Sequence, residues 1–215
     1  MSRKLDPRVE RTRQSFMDAL LELMEQKDFQ KISILEIAQT ARLNRSTFYL
    51  HFFDRDDLMQ QMLDEALNEL RESVKLTEAE FEYASDKPHP IFIRLFEKMM
   101  EDRKFYSVIL ANDKIPYFTN SVLEMIMEFI AKAKHYLIND EVEFVVPLEI
   151  SSSYVASAYL GVINWWLKNE MPYTPHYMAI QLTRMSTVGP YRTNPFLKES
   201  VVRASNEMPS HQFRV

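Results

Sequence analysis

Residues 33–52 read SILEIAQTARLNRSTFYLHF, and this stretch decides how the rest of the chain is read. Ser33 followed by Glu36 has the spacing of a capping box, in which hydroxyl and carboxylate satisfy free N–H groups at a helix start. Ile34, Ile37, Ala38 and Ala41 recur at helical spacing, so one side of this helix is apolar. After Arg42-Leu43, Asn44 can cap a second helix carrying Arg45, Ser46, Thr47, Tyr49 and His51. Phe48 and Phe52, four residues apart, give that helix an inward face. What remains outward is a set of hydrogen-bond donors, with no carboxylate before Asp54. Such a helix fits a DNA major groove, where polar side chains reach base edges and others hold phosphates. The stretch reads as a helix-turn-helix.

Working outward, Val9, Phe16, Leu20, Leu23 and Met24 form an apolar stripe on a first helix from about Pro7 to Lys27. It brings a basic entry segment, Arg3, Lys4, Arg8, Arg11 and Arg13, which can reach flanking phosphates or the minor groove. Asp54 caps a fourth helix that runs to about Val74 through Leu58, Met62, Leu63, Ala66, Leu67 and Leu70. Its free N–H groups with Arg55 beside them resemble a phosphate-binding helix terminus. Leu76 to Pro90, LTEAEFEYASDKPHP, reads as a linker. Helices follow over Ile91–Glu101, Phe105–Leu110, Phe118–Leu137, Leu148–Lys168 and from Thr174-Pro175 to Val188. The fold class expected is therefore all-α. A three-helix DNA-binding unit occupies residues 1–75, a second helical domain 76–190, and an extended or disordered tail 191–215.

The run from Ile37 through Ala38, Ala41, Leu43, Ser46, Thr47, Phe48, Tyr49, His51, Phe52, Asp54, Arg55 and Asp57 to Leu58 resembles the signature of the TetR family of transcriptional regulators. The resemblance covers about the first seventy residues closely, and the remainder only in its helix pattern. It implies a homodimer on double-stranded operator DNA, with Asn44, Arg45, Ser46, Thr47, Tyr49 and His51 at the DNA and Arg55 on a phosphate. The family usually has Gly in the turn where this chain has Arg42, so that turn is expected to be strained or differently shaped.

Composition narrows the classes. With 215 residues, 46% hydrophobic and 27% charged, the chain can build one large domain or two small ones. Only 2 Gly leave no material for phosphate-cradling glycine loops, and with no Cys there is neither a disulfide nor a thiolate zinc site. The opening MSRKLDPRVE lacks the apolar core of a signal peptide, and a cytoplasmic location is expected. The net charge of -5 is uneven: residues 1–55 carry 10 Lys/Arg against 8 Asp/Glu, and residues 56–215 carry 16 against 23. A small positive surface is enough, because phosphate contacts are local on the scale of salt screening. The five His residues show no metal-ligand spacing, and there is no nucleophile elbow. No catalytic residue, metal or cofactor is assigned.

The helix from Leu148 to Lys168 has no charge between Glu149 and Lys168, yet its four Ser and Asn164 argue against a membrane span. A helix apolar nearly all round must be covered on several sides. A second copy of the chain is the expected cover, through Tyr154, Leu160 and Trp165 together with Leu182 and Met185 of the next helix. The family resemblance also places dimerisation there. Phe96, Met99, Met100, Tyr106, Phe118, Met125 and Phe129 suit a pocket for a small apolar or planar effector, although such residues at helical spacing are more often ordinary core. The resemblance implies a repressor that leaves a palindromic operator when it binds that effector. The segment GVINWWLKNEMPYTP resembles a subgroup that includes a ligand-bound coactivator, which leaves open a role exerted through a protein partner.

Overall fold

A computed structural model describes residues 6–77, 80, 87–110, 115–137 and 146–190. Among them every regular element is helical. The expected 191–215 tail, and the entry residues Arg3 and Lys4, lie outside the described residues.

The head of the molecule is α1 (Pro7–Gln26), α2 (Ile34–Thr40), α3 (Arg45–Phe48) and the N-terminal part of α4 (Arg55–Ser73), with a 3-10 turn at Phe29–Lys31. The Asp6 carboxylate caps α1, and Pro7 at its first position has no N–H to leave unpaired. Both halves of the Ser33–Glu36 capping box form. Glu36 also pairs with Lys27. That ammonium, followed by the backbone and hydroxyl of Ser33, holds the Glu36 carboxyl at about 2. The core of the head is aromatic. Phe16 meets Phe48 and Phe52 edge-on at 5.3 and 6.1 Å between ring centres, and all three are buried.

The second half comprises α5 (Pro90–Glu101), α6 (Arg103–Ile109), α7 (Pro116–Leu137), α8 (Leu148–Lys168) and α9 (Pro175–Val188). α9 lies along α5, and α8 along α7. The buried His89 ties the first pair: its imidazole Nδ1 accepts from Ile91 N–H at 3.2 Å, and its backbone N–H donates to Thr183 Oγ1 at 2.8 Å. Burial pushes this imidazole below its usual pKa, against the opposing pull of Glu80. The buried Trp166 of α8 packs on α5, edge-on to Phe96 at 5.0 Å, with its indole N–H donating to the Tyr173 carbonyl at 2.9 Å.

α4 belongs to both halves. It packs on α1, α5 and α7, with Leu58, Leu63 and Leu70 buried. Lys98 of α5 donates to Glu69 at 2.7 Å, Tyr117 of α7 to Asp64 at 3.1 Å, and Arg13 of α1 to Gln61 at 2.7 Å. Among the described residues no helix is long and apolar enough to cross a membrane.

Candidate nucleic-acid interface

The turn between α2 and α3 is built by the backbone. Leu43 N–H donates to the Ala38 carbonyl at 2.9 Å and Arg42 N–H to Gln39 at 3.0 Å, the paired bonds of a Schellman ending. Its pivot must be left-handed, and Arg42 takes that position with φ 56°. The expected Gly position thus keeps its conformation and carries the steric cost of a Cβ.

α3 is shorter than the sequence suggests. Regular helix ends at Phe48, and the next turn is closed by Leu50 N–H to the Thr47 carbonyl at 3.2 Å and by His51 and Phe52 N–H to Phe48, both at 3.0 Å. Asn44 sits at the N-cap position, but its side chain makes no capping bond. Phe48 and Phe52 point into the core, while Asn44, Arg45, Ser46 and Tyr49 are exposed. Thr47 and His51 are half-buried. Arg45 donates to the Tyr49 hydroxyl at 3.0 Å, its guanidinium 5.6 Å from the ring centre. These outward residues make one donor-rich ridge.

Arg55 corrects the expectation of a phosphate ligand. Its guanidinium is turned inward, donating to the carbonyls of Phe29 at 3.1 Å, Gln30 at 3.2 Å and Ile32 at 2.9 Å, and it lies 4.3 Å from the Phe29 ring centre. The helix start beside it is already satisfied by carboxylates. Asp54 accepts from Asp57 N–H and Asp57 from Phe53 N–H, each at 2.8 Å. The Gln61 amide and Phe53 N–H hold the Asp57 carboxyl below its ordinary range. Three acidic groups at this terminus, Asp54, Asp56 and Asp57, disfavour a phosphate there. Arg13 is likewise committed, to Gln61 and Glu65 and across the Phe52 ring at 5.1 Å.

The other expected sites divide. On α8, Tyr154 and Trp165 are exposed at 74% and 48% and Leu160 is half-buried; on α9, Met185 is exposed. Leu182 is a correction: it is 1% exposed and packs inside its own domain, on the face α9 turns to α5. Of the expected pocket residues, Met125 and Phe129 line an apolar cleft with Val74, Ile91, Phe92, Leu95, Ile126 and Tyr159. Phe96, Met99, Tyr106 and Phe118 are fully buried core, and Met100 packs half-buried against it. The cleft holds about 40 Å³. That is far below the roughly 300–1,000 Å³ of sites that enclose small ligands.

Sequence profiles agree with the two halves of this architecture. Residues 16–62 match the bacterial regulatory proteins of the tetR family, and residues 86–187 match a transcriptional regulator C-terminal region of the same family. The chain belongs to the TetR family of transcriptional regulators. Proteins of this family are DNA-binding transcription factors and not enzymes. An uncharacterized HTH-type transcriptional regulator of Bacillus subtilis, YxbF, is 20% identical over 197 residues, 88% of this chain and 48% of that protein. The chain spans about half, or less, of the length of the curated relatives it matches. In fold it is similar to the transcriptional regulator FadR of Bacillus subtilis in complex with stearoyl-CoA, with TM-score 0.62 and 14% identity over 83% of this chain and 99% of that one. It is also similar to the dihydroxyacetone kinase operon activator DhaS, with TM-score 0.55 and 20% identity over 81% and 93% of the two chains. At these identities the two structures speak to the fold alone.

Proposed function

We propose that this TetR-family regulator is a homodimeric repressor that occupies a palindromic operator and is released by a small apolar or planar molecule. The observation that carries the reading is the ridge of Asn44, Arg45, Ser46 and Tyr49. These side chains are exposed, donor-rich and free of carboxylates, on an element anchored by the buried Phe48 and Phe52. Arg45 and Ser46 read base edges, and the Tyr49 hydroxyl, already aligned by Arg45, holds a phosphate. Thr47 and His51 flank them from half-buried positions.

The dimer forms across the outer side of α8 and α9. Ile150, Tyr154, Ser157, Ala158, Gly161 and Trp165 are all exposed at helical spacing, and Tyr177, Ile180 and Met185 continue the surface on α9. The effector enters the cleft between Phe92, Met125, Phe129 and Tyr159, which widens to receive it. Three buried polar atoms without a hydrogen-bond partner lie on α6, α7 and α8: the Tyr106 hydroxyl, Thr119 Oγ1 and Asn164 Oδ1.

Gel-shift titration against the region upstream of its own gene, and against genomic fragments enriched by the purified protein, tests this function. Arg45→Ala and Ser46→Ala are expected to change the preferred bases, with each lost base contact costing about 1–3 kcal/mol of discrimination. Tyr49→Phe is expected to weaken binding evenly across sequences. A protein that shifts no fragment alone, but does so together with a captured partner, is a coactivator of the kind the segment GVINWWLKNEMPYTP leaves open.

A further inference from the structure

Among the described residues of the head, Leu50 and Phe53 are the most exposed large apolar side chains, at 80% and 84%. Regular helix ends at Phe48, and one further turn is closed through Phe52. Phe48 and Phe52, two residues either side of Leu50, are buried, so the exposed Leu50 stands on the opposite side of the element. Ser46, four residues earlier, lies in line with it. The adjacent ridge carries Arg45 bonded to Tyr49, and no carboxylate occurs from Ile37 to Phe53.

A leucine held out in water contributes nothing to the core, and its surroundings exclude most partners. Cationic, donor-rich neighbours fit a polyanion, so the occupant must be anionic overall and apolar at one point. The major groove of duplex DNA meets both conditions, because the C5 methyl of thymine is the apolar group presented among its base edges. We propose that Leu50 is a specificity residue that reads thymine methyl groups beside the bases contacted by Arg45 and Ser46. This rests on the operator reading above. It adds a base preference that hydrogen bonding does not supply.

The test uses the full chain and duplexes enriched by it from a random-sequence pool, each remade with deoxyuridine for thymidine one position at a time. Uracil keeps every hydrogen-bonding atom and lacks only the methyl. The wild-type protein is expected to lose roughly fourfold in affinity for each contacted methyl removed, the equivalent of about 0.8 kcal/mol for one buried methylene. Leu50→Ala, at a surface position that leaves the fold intact by circular dichroism, is expected to bind thymine and uracil duplexes equally. Phe53→Ala is expected to keep the thymine preference. Indifference of the wild type to every methyl, or persistence of the preference in Leu50→Ala, or its loss in Phe53→Ala, overturns the assignment. If no duplex is enriched, the operator reading itself fails and this inference with it. Enrichment without methyl dependence removes this inference alone.

Discussion

Arg55 shows what a single residue can and cannot reveal from its place in the sequence. The cap signals around it were legible because they are local: Ser33 with Glu36, and Asp54 with Asp57, sit three residues apart and form as the spacing requires. The acceptors of Arg55 lie 23 to 26 residues back along the chain, and no local pattern announces them. Its guanidinium fastens the Phe29–Lys31 turn, and so the α1–α2 corner, to the start of α4. Bonds from a charged donor contribute about 1.5–3 kcal/mol each when desolvated; with the Arg55 side chain 20% exposed, a net value near 2 kcal/mol for the group is expected. Arg55→Met should therefore lower the unfolding free energy by that amount, read as a lower denaturant midpoint at unchanged slope. The slope of operator affinity against salt should not change, because no phosphate contact is lost. A variant of normal stability with a flattened salt slope would restore the phosphate role.

At the scale of the element, the bounds of the long helices were legible and helix faces only in part. Pro147 and Thr174-Pro175 punctuate the chain, and α8 and α9 begin where these residues allow. α9 carries Leu182 and Met185 three residues apart on what the sequence offers as one stripe. The structure turns Leu182 to α5 and leaves Met185 at the edge, a division set by a neighbour some ninety residues away. The short α3 was illegible for a similar reason, since its anchoring depends on Phe16 in α1. The dimer proposal is best tested on α8, at Gly161, which is exposed and has no atom within 4 Å of where a Cβ would stand. Gly161→Ala is expected to stabilise the monomer fold by about 0.4–1 kcal/mol by restricting the unfolded chain. Gly161→Arg should leave helicity unchanged and place a charge in the contact, giving monomers by sedimentation at micromolar concentration. Leu182→Arg serves as the contrast, because it should unfold the domain. Persistent dimers of Gly161→Arg would move the interface off this face.

For the whole molecule, the proposed function requires a site in the second half to alter spacing in the first. Two recognition elements on one face of B-DNA stand about 34–36 Å apart, or a multiple of that, so a small rotation of each head spoils the fit. α4 is the connection. Gln61 and Glu65 hold Arg13 of α1, Asp64 between them takes Tyr117 of α7, Glu69 takes Lys98 of α5, and Val74 at its end lines the apolar cleft. The apolar stripe of the fourth helix, with Leu63, Leu67 and Leu70, was legible, whereas the cleft at its end was not, because the cleft lining comes from separate stretches of the chain. An effector that widens the cleft by displacing Val74 moves the end of α4, and a helix fastened along its length passes such a displacement to the head as a rigid body. The coupling is expected to be about 1–3 kcal/mol and must be reciprocal, so saturating operator should weaken effector binding 5- to 150-fold. Leu67→Ala, at a half-buried position in the middle of α4, should reduce that coupling and leave operator affinity without effector nearly unchanged. The measurement is calorimetric titration of an effector, found by thermal-shift screening of small apolar and planar compounds, with and without the enriched operator duplex. Equal affinities in the two titrations would exclude transmission through α4, because a ligand that does not distinguish the DNA-bound from the free state cannot shift the balance between them.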